Sequence, residues 1–236
     1  YIYTYKIGFI LINMNDFFYI MKNTLLKKSL NRIFQEIYAR NFSIEGEIIE
    51  FGAFKGSKKN FTNFANISDK SSLTFCDKLS KDKALSLSED LEKKLSFKDN
   101  FCDVILIFNV LEHIFDTENA LCEINRCLKK NGKLIGSVPF IHRIHNAPED
   151  FNRHTSQFLT KILEKNNFTN IQIKSHGYGP ITACYAIIFD YTKIIPFLNN
   201  ILLTMSILAD KFINIFVKAD LSKIYPITVS FYGEKK

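Results

Sequence analysis

Residues 103–108, Asp-Val-Ile-Leu-Ile-Phe, restrict the fold more than any other segment. A short, near-continuous apolar run bounded by polar residues suits a strand buried on both faces. Strands of that kind belong to parallel sheets covered by helices on both sides. The rest of the chain supplies the partners. Strands are predicted at 47–51, 73–76 and 85–87, then at 133–138 up to Pro139, at 171–173, and at 227–232, where apolar and polar residues alternate. Helical spacing intervenes. Leu25, Leu26, Leu30, Ile33, Phe34 and Ile37 give one amphipathic helix over 23–40. Asp116 or Thr117 caps a second, striped by Leu121, Ile124 and Leu128, with Lys129 and Lys130 at its carboxyl end and Gly132 as its stop. Thr155 caps a third over 156–165. Strands alternating with helices imply an α/β, doubly wound sheet with helices on both faces, and such sheets bind ligands at the carboxyl ends of their strands.

Composition narrows the class. With 236 residues, 47% hydrophobic and 23% charged, the chain is an ordinary globular one, neither disordered nor fibrous. The net charge of +7 comes from scattered lysines with no aromatic-interleaved basic patch, so a nucleic-acid partner is not expected. Five cysteines without CxxC spacing (Cys76, Cys102, Cys122, Cys127 and Cys184) are expected to be small core residues in a reducing compartment. The apolar segment 7–20 is broken by Asn13, Asn15 and Asp16 and has no small-residue cleavage site behind it, so it is not read as a secretory leader.

Chemistry-bearing residues fall at the predicted strand ends. Glu50, Gly52, Ala53 and Gly56 surround the first, Asp77 closes the second, and Asp90 follows the third. Glycines there let backbone approach a ligand closely. The loop lacks G-x-G-x-x-G, and Lys55-Gly56-Ser57 lacks the Walker spacing, so neither a dinucleotide nor a phosphate loop is read here.

These residues carry a resemblance. Glu50-Phe51-Gly52-Ala53-Phe54-Lys55-Gly56 resembles motif I of the class I, Rossmann-like methyltransferases, with Phe54 in place of the middle glycine. The stretch 90–97, the pair 101–105 and 109–114, and 123–132 resemble the "DxxxLPF", "FDVV…VLEHV" and "EI-R-LKPGG" stretches of the type 11 branch. Val138-Pro139-Phe140 with His145, Pro148, Asp150, Arg153 and Thr155 is similar to its "VPF…HxxPxDxxRxT" signature. The resemblance spans about 47–175. It implies a seven-stranded mixed sheet with the last strand antiparallel. It also implies S-adenosylmethionine as cofactor, with Glu50, Gly52, Ala53 and Gly56 at its methionine end, Asp77 at the ribose, Asp90 and Leu91 at the adenine, and Asn109 completing the set.

Methyl transfer is a displacement at an activated carbon, so the protein orients the acceptor and removes its proton. His145, His113 and Asp150 are the candidate catalytic groups; bracing of the loop by an Asp150–Arg153 pair is the structural alternative. His142, His145, Asp150 and His154 have H-x-x-H spacing but no helix-borne ligand pair, so no metal is expected. The expected organisation is an N-terminal helical extension, 1–44, and a methyltransferase domain, 45–236, with an apolar helical insertion at about 178–222. The insertion is shorter in its apolar stretches than a membrane span. Residues 178–210 are expected to touch a membrane surface or a second copy, and the protein to be cytoplasmic or peripheral to the inner membrane face. The expected activity is methyl transfer to a hydroxyl or amine of a small molecule or envelope saccharide. The rival readings are a catalytically degenerate binding module and a nucleic-acid methyltransferase.

Overall fold

A computed structural model describes residues 13–236 apart from 83 and 218; part of the 7–20 segment therefore lies outside the described residues. The helix expected over 23–40 is two helices, α1 (Met14–Leu25) and α2 (Leu30–Ala39). The break has a local cause. Lys27 adopts a left-handed backbone with φ of 62°, and Ser29 starts the next helix by accepting the Arg32 N–H at 3.3 Å.

Two short strands, β1 (Ser43–Ile44) and β3 (Asn66–Ile67), pair with each other in parallel. The main sheet has six strands: β2 (Glu47–Phe51), β4 (Ser72–Cys76), β5 (Cys102–Phe108), β6 (Leu128–Pro139), β7 (Phe168–His176) and β8 (Thr228–Lys235), in the order β4-β2-β5-β6-β8-β7. The first four run parallel, and β8 is antiparallel to both neighbours, as expected of the last strand. The expected seventh strand, 85–87, is reduced to one parallel bridge from Leu87 to Cys76. Leu87 sits between two serines, and its two backbone bonds to Phe75 and Asp77 are all that the edge supports.

Alternation divides the sheet into two dry faces. Ile49, Ile105, Ile107, Leu134, Val229 and Phe231 meet α3 (Thr117–Cys127) and α4 (Ser156–Lys165) through Leu121, Ile124, Leu159 and Leu163. Full burial of each such Leu or Ile contributes about 1.5–3 kcal/mol. On the other face Ile48, Val104, Leu106, Phe108 and Ile135 meet Tyr38 and Ala39 of α2. α3 ends at Cys127 rather than near Gly132, because β6 begins at Leu128 and carries Asn131, at φ 61°, within the strand. Cys76, Cys102 and Cys127 are core residues as expected, whereas Cys122 and Cys184 are exposed thiols.

Between β7 and β8 the chain forms α5 (Pro180–Thr192), α6 (Pro196–Phe216) and the single turn α7 (Leu221–Ile224). Leu203 and Ile207 of α6 join Tyr185 and Phe189 of α5, Ile20 of α1, and Ile33 and Phe34 of α2 in a third cluster. Asp210, fully buried on α6, accepts the Ile181 and Thr182 N–H groups at 2.9 and 2.7 Å. It caps the start of α5 and fixes the two helices together. No helix among the described residues is long and apolar enough to cross a membrane.

Candidate active site

The chain leaves β2, builds β4 on one side, and returns to build β5 on the other. The order therefore reverses between β2 and β5, and a crevice opens at their carboxyl ends. Gly52 follows β2 there. Its φ is 71°, and a Cβ would stand 2.9 Å from the Val110 Cγ2 beyond β5. Gly56 has φ 78° and open space around it. The glycine requirement is thus met at both outer positions of the loop. Phe54 is not among the residues of positive φ, so its backbone needs no glycine; its side chain is exposed, and Asn60 ties its N–H and carbonyl at 3.3 and 2.7 Å. The buried Ala53 donates to the Cys76 carbonyl, as does Gly52.

Glu50 holds this loop from below. It is buried, and its two oxygens accept the Phe61 and Thr62 N–H groups at 2.5 and 3.0 Å. Burial raises its pKa, and those backbone bonds oppose the rise. Expected at the methionine end of a cofactor, Glu50 instead spends both oxygens on the protein's own backbone. Asp77 turns Oδ1 to the Leu79 N–H at 2.8 Å. Asp90 accepts from the Glu92 N–H and faces Lys78 at 3.4 Å, beside the buried Leu91. Asn109, with φ 54°, exchanges amide hydrogen bonds of 2.8 and 2.5 Å with Gln35. Gln35 and its neighbour Asn31 are buried in α2, and the sequence reading missed both. Polar residues on the inner stripe of an amphipathic helix were the available signal.

Beyond β5 a 3-10 turn, Leu111–His113, carries the centre of the site. The loop after β6 is stitched onto it: the Phe151 and Asn152 N–H groups donate to the Glu112 carbonyl at 2.8 and 3.1 Å. This brings the His113 and His145 rings edge to face at 4.9 Å between centroids, with His142 a further 4.8 Å from His145. His113 Nδ1 lies 2.5 Å from the Glu149 carbonyl oxygen. Burial and the neighbouring His142 lower the pKa of His145, which keeps that ring neutral at pH 7. His154 stands apart, buried and stacked flat on Phe158.

Asp150 is a brace and not a free base. Its side chain is buried, binds Arg153 through both oxygens at 2.5 and 2.8 Å, and accepts the His145 N–H at 2.9 Å. The guanidinium holds its carboxyl well below the usual range. Catalysis expected of Asp150 therefore gives way to positioning of the loop that carries His145. Glu112, by contrast, is not among the residues that the sequence singles out. It is fully buried, its carboxylate is 3.8 Å from His113 Nε2, and neither oxygen has a hydrogen-bond partner among the described residues. Burial pushes its pKa up to about 8.

Two clefts, of about 530 and 510 Å³, lie elsewhere, at the amino-terminal edge of the sheet around Phe42, Ser43 and Lys133. Neither contains a strand-end residue of the site, so their size does not mark the chemistry.

Residues 62–136 match the model of a family described as a methyltransferase domain. No curated protein matches the sequence. Similar solved structures include phosphoethanolamine N-methyltransferase 2 of Haemonchus contortus in complex with S-adenosyl-L-methionine, at 13% identity and a TM-score of 0.53, covering 93% of this chain and 57% of that one. Another is a SAM-dependent methyltransferase from Archaeoglobus fulgidus, at 13% identity and 0.55, covering 93% and 99%. A third is the 4+2 cyclase SpnF, at 12% identity and 0.55, covering 94% of each chain. The chain spans little more than half the length of the phosphoethanolamine enzyme. The sheet order, the glycine loop at its reversal point and these likenesses define the fold as that of the class I methyltransferases. The stretch from the turn after the glycine loop to the middle of β6 carries that family's sequence pattern as well.

Proposed function

We propose that the protein is an S-adenosylmethionine-dependent methyltransferase whose acceptor is a hydroxyl or amine of a small molecule or saccharide. The observation that carries this reading is a glycine loop of positive φ after β2 and a pair of histidine rings, His113 and His145, beyond the neighbouring strands β5 and β6, at the same carboxyl end of the sheet. Residues of the chain fit the cofactor on their own chemistry. Gly52 lets the backbone pass close to Val110 with φ of 71°, where a Cβ would collide, and Gly56 has open space around it. Asp77 commits only Oδ1 to the loop, leaving Oδ2 for ribose hydroxyls. Asp90 and Leu91 offer an acceptor and an apolar surface for adenine. Glu50 and Asn109 hold the loop and the strand end in place.

When bound, the cofactor supplies a methyl group on a sulfonium centre. What remains for the chain is to align an acceptor atom and take its proton. His145 is the proposed recipient, held by the loop that Asp150 and Arg153 brace. Partial burial limits competing water. Because a cyclase shares the fold, the fold alone does not carry the activity.

The first test is calorimetric titration of the purified chain with S-adenosylmethionine and S-adenosylhomocysteine. Micromolar binding of both is expected, at least about tenfold weaker in Gly52→Val and Asp77→Ala with the circular dichroism unchanged. A folded chain that binds neither ligand would overturn the reading and favour a non-catalytic binding module.

A further inference from the structure

We propose that Glu112, His113 and His145 form a binding site for one divalent first-row metal ion, with zinc as its representative. One potential ligand atom from each residue lies within 4.8 Å of the others. The donors are two imidazoles and one carboxylate, a set that suits zinc and its neighbours rather than magnesium. A three-ligand site also leaves a coordination position open to water or an acceptor atom.

Three independent features point to a cation. The first is Glu112. A carboxyl group wholly removed from water is costly in either protonation state unless its oxygens are paired, and both oxygens of Glu112 lack a partner among the described residues. The side chain is directed at His113 Nε2 at 3.8 Å, and the nearby Arg153 guanidinium is taken up by Asp150. The second is the arrangement of the ring nitrogens. His113 Nδ1 faces the Glu149 carbonyl at 2.5 Å, so this nitrogen carries the proton and Nε2 keeps its lone pair toward Glu112. His145 Nδ1 likewise lies 3.4 Å from the Arg143 carbonyl and 3.5 Å from the Asp150 carboxylate. A ligating histidine typically gives its other N–H to a carbonyl or carboxylate in this way, which fixes the tautomer and the ring. The third is access: both histidines are partly exposed while Glu112 is sealed, so an ion has an entry path and a dry floor.

Zinc bonds of about 2.0–2.2 Å to tetrahedral ligands require ligand atoms ~3.3 Å apart. The present spacing, within 4.8 Å, must close by up to about 1.5 Å on binding, while the backbone stitching already holds the two loops together. A bound ion would take over the imidazoles' part in the proposed reaction and lower the pKa of a coordinated acceptor hydroxyl. Metal binding does not depend on the methyl-transfer reading, and the two fail separately.

The test is equilibrium dialysis of the full chain against zinc chloride with elemental analysis, followed by calorimetry with zinc alone. One equivalent is expected, bound about 100-fold more tightly than magnesium. Glu112→Gln and His145→Ala are each expected to weaken zinc by at least about tenfold, and His142→Ala to leave it unchanged. Circular dichroism establishes that each variant is folded. Cobalt substitution separates this site from the exposed thiols of Cys122 and Cys184, because thiolate ligation adds a near-ultraviolet charge-transfer band. No stoichiometric zinc in the folded wild type, equal affinity in both ligand variants, or a thiolate band would overturn the proposal. S-adenosylmethionine titration of the same samples reports on the cofactor reading independently.

Discussion

Two buried titratable side chains behave oppositely in this protein, and the difference lies in their partners. Asp150 is saturated by Arg153 and a backbone N–H, so it is a fixed charge. His176 is buried between Phe34, which stacks on it at 5.7 Å, and Ser230, whose hydroxyl lies 2.9 Å from Nε2. Burial lowers its pKa from 6.5 to about 3, with Lys174 adding to the effect. The folded state therefore binds this proton less readily than the unfolded chain. Stability from this residue is complete above pH 6.5 and is lost progressively as pH falls toward 3. Urea midpoints measured between pH 7 and pH 5 are expected to fall in the wild type and to fall less steeply in His176→Gln, whose amide keeps a bond to Ser230 without gaining charge. At this scale little of the site was legible in advance. Gly52, Asp77, His113 and His145 announce themselves by type and position at strand ends. Glu112 does not, because an acidic residue beside a histidine looks like a surface pair, and only the return of the loop after β6 seals it.

Elements were more legible than residues. The runs at 47–51, 73–76 and 103–108 became β2, β4 and β5 because a two-sided buried strand has few ways to hide its apolar content. The expected strand at 85–87 shrank to a bridge for the converse reason: one leucine between serines brings little to bury. The helix over 23–40 split because Ser29 offers a cap that helical spacing alone does not reveal. Gly136 shows how tightly the centre of the sheet is set. A Cβ there would overlap the Ile107 carbonyl and the Phe231 ring. Gly136→Ala is expected to cost about 3 kcal/mol in chemical denaturation, at the upper end for overpacking, since β5 and β8 both bound the space. An unchanged midpoint would show that the sheet can open there.

Over the whole molecule, the largest unresolved demand is apolar surface. Phe197, Ile201, Met205, Leu208, Phe212 and Ile215 make an exposed stripe along α6, and Ile187 and Tyr191 extend it from α5. We propose that an anionic lipid surface covers this face. The net charge of +7, spread over the chain, adds a general attraction to an anionic surface. Co-sedimentation with phosphatidylglycerol vesicles at low salt is expected, to fall with added salt, and to be lost in the Met205→Glu, Phe212→Glu double variant. Concentration-dependent dimers without vesicle binding would assign the face to a second copy instead.

The contact between Asn31 of α2 and Thr228 at the start of β8 joins positions 197 residues apart. Closing so long a loop costs more chain entropy than a local contact does. Asn31 and Gln35 also clamp Asn109, so the wall of the crevice at Asn109 is tied through α2 to a strand far along the chain. Pairings of such sequence separation slow folding, so this wall sets in order after the neighbouring parallel strands have met.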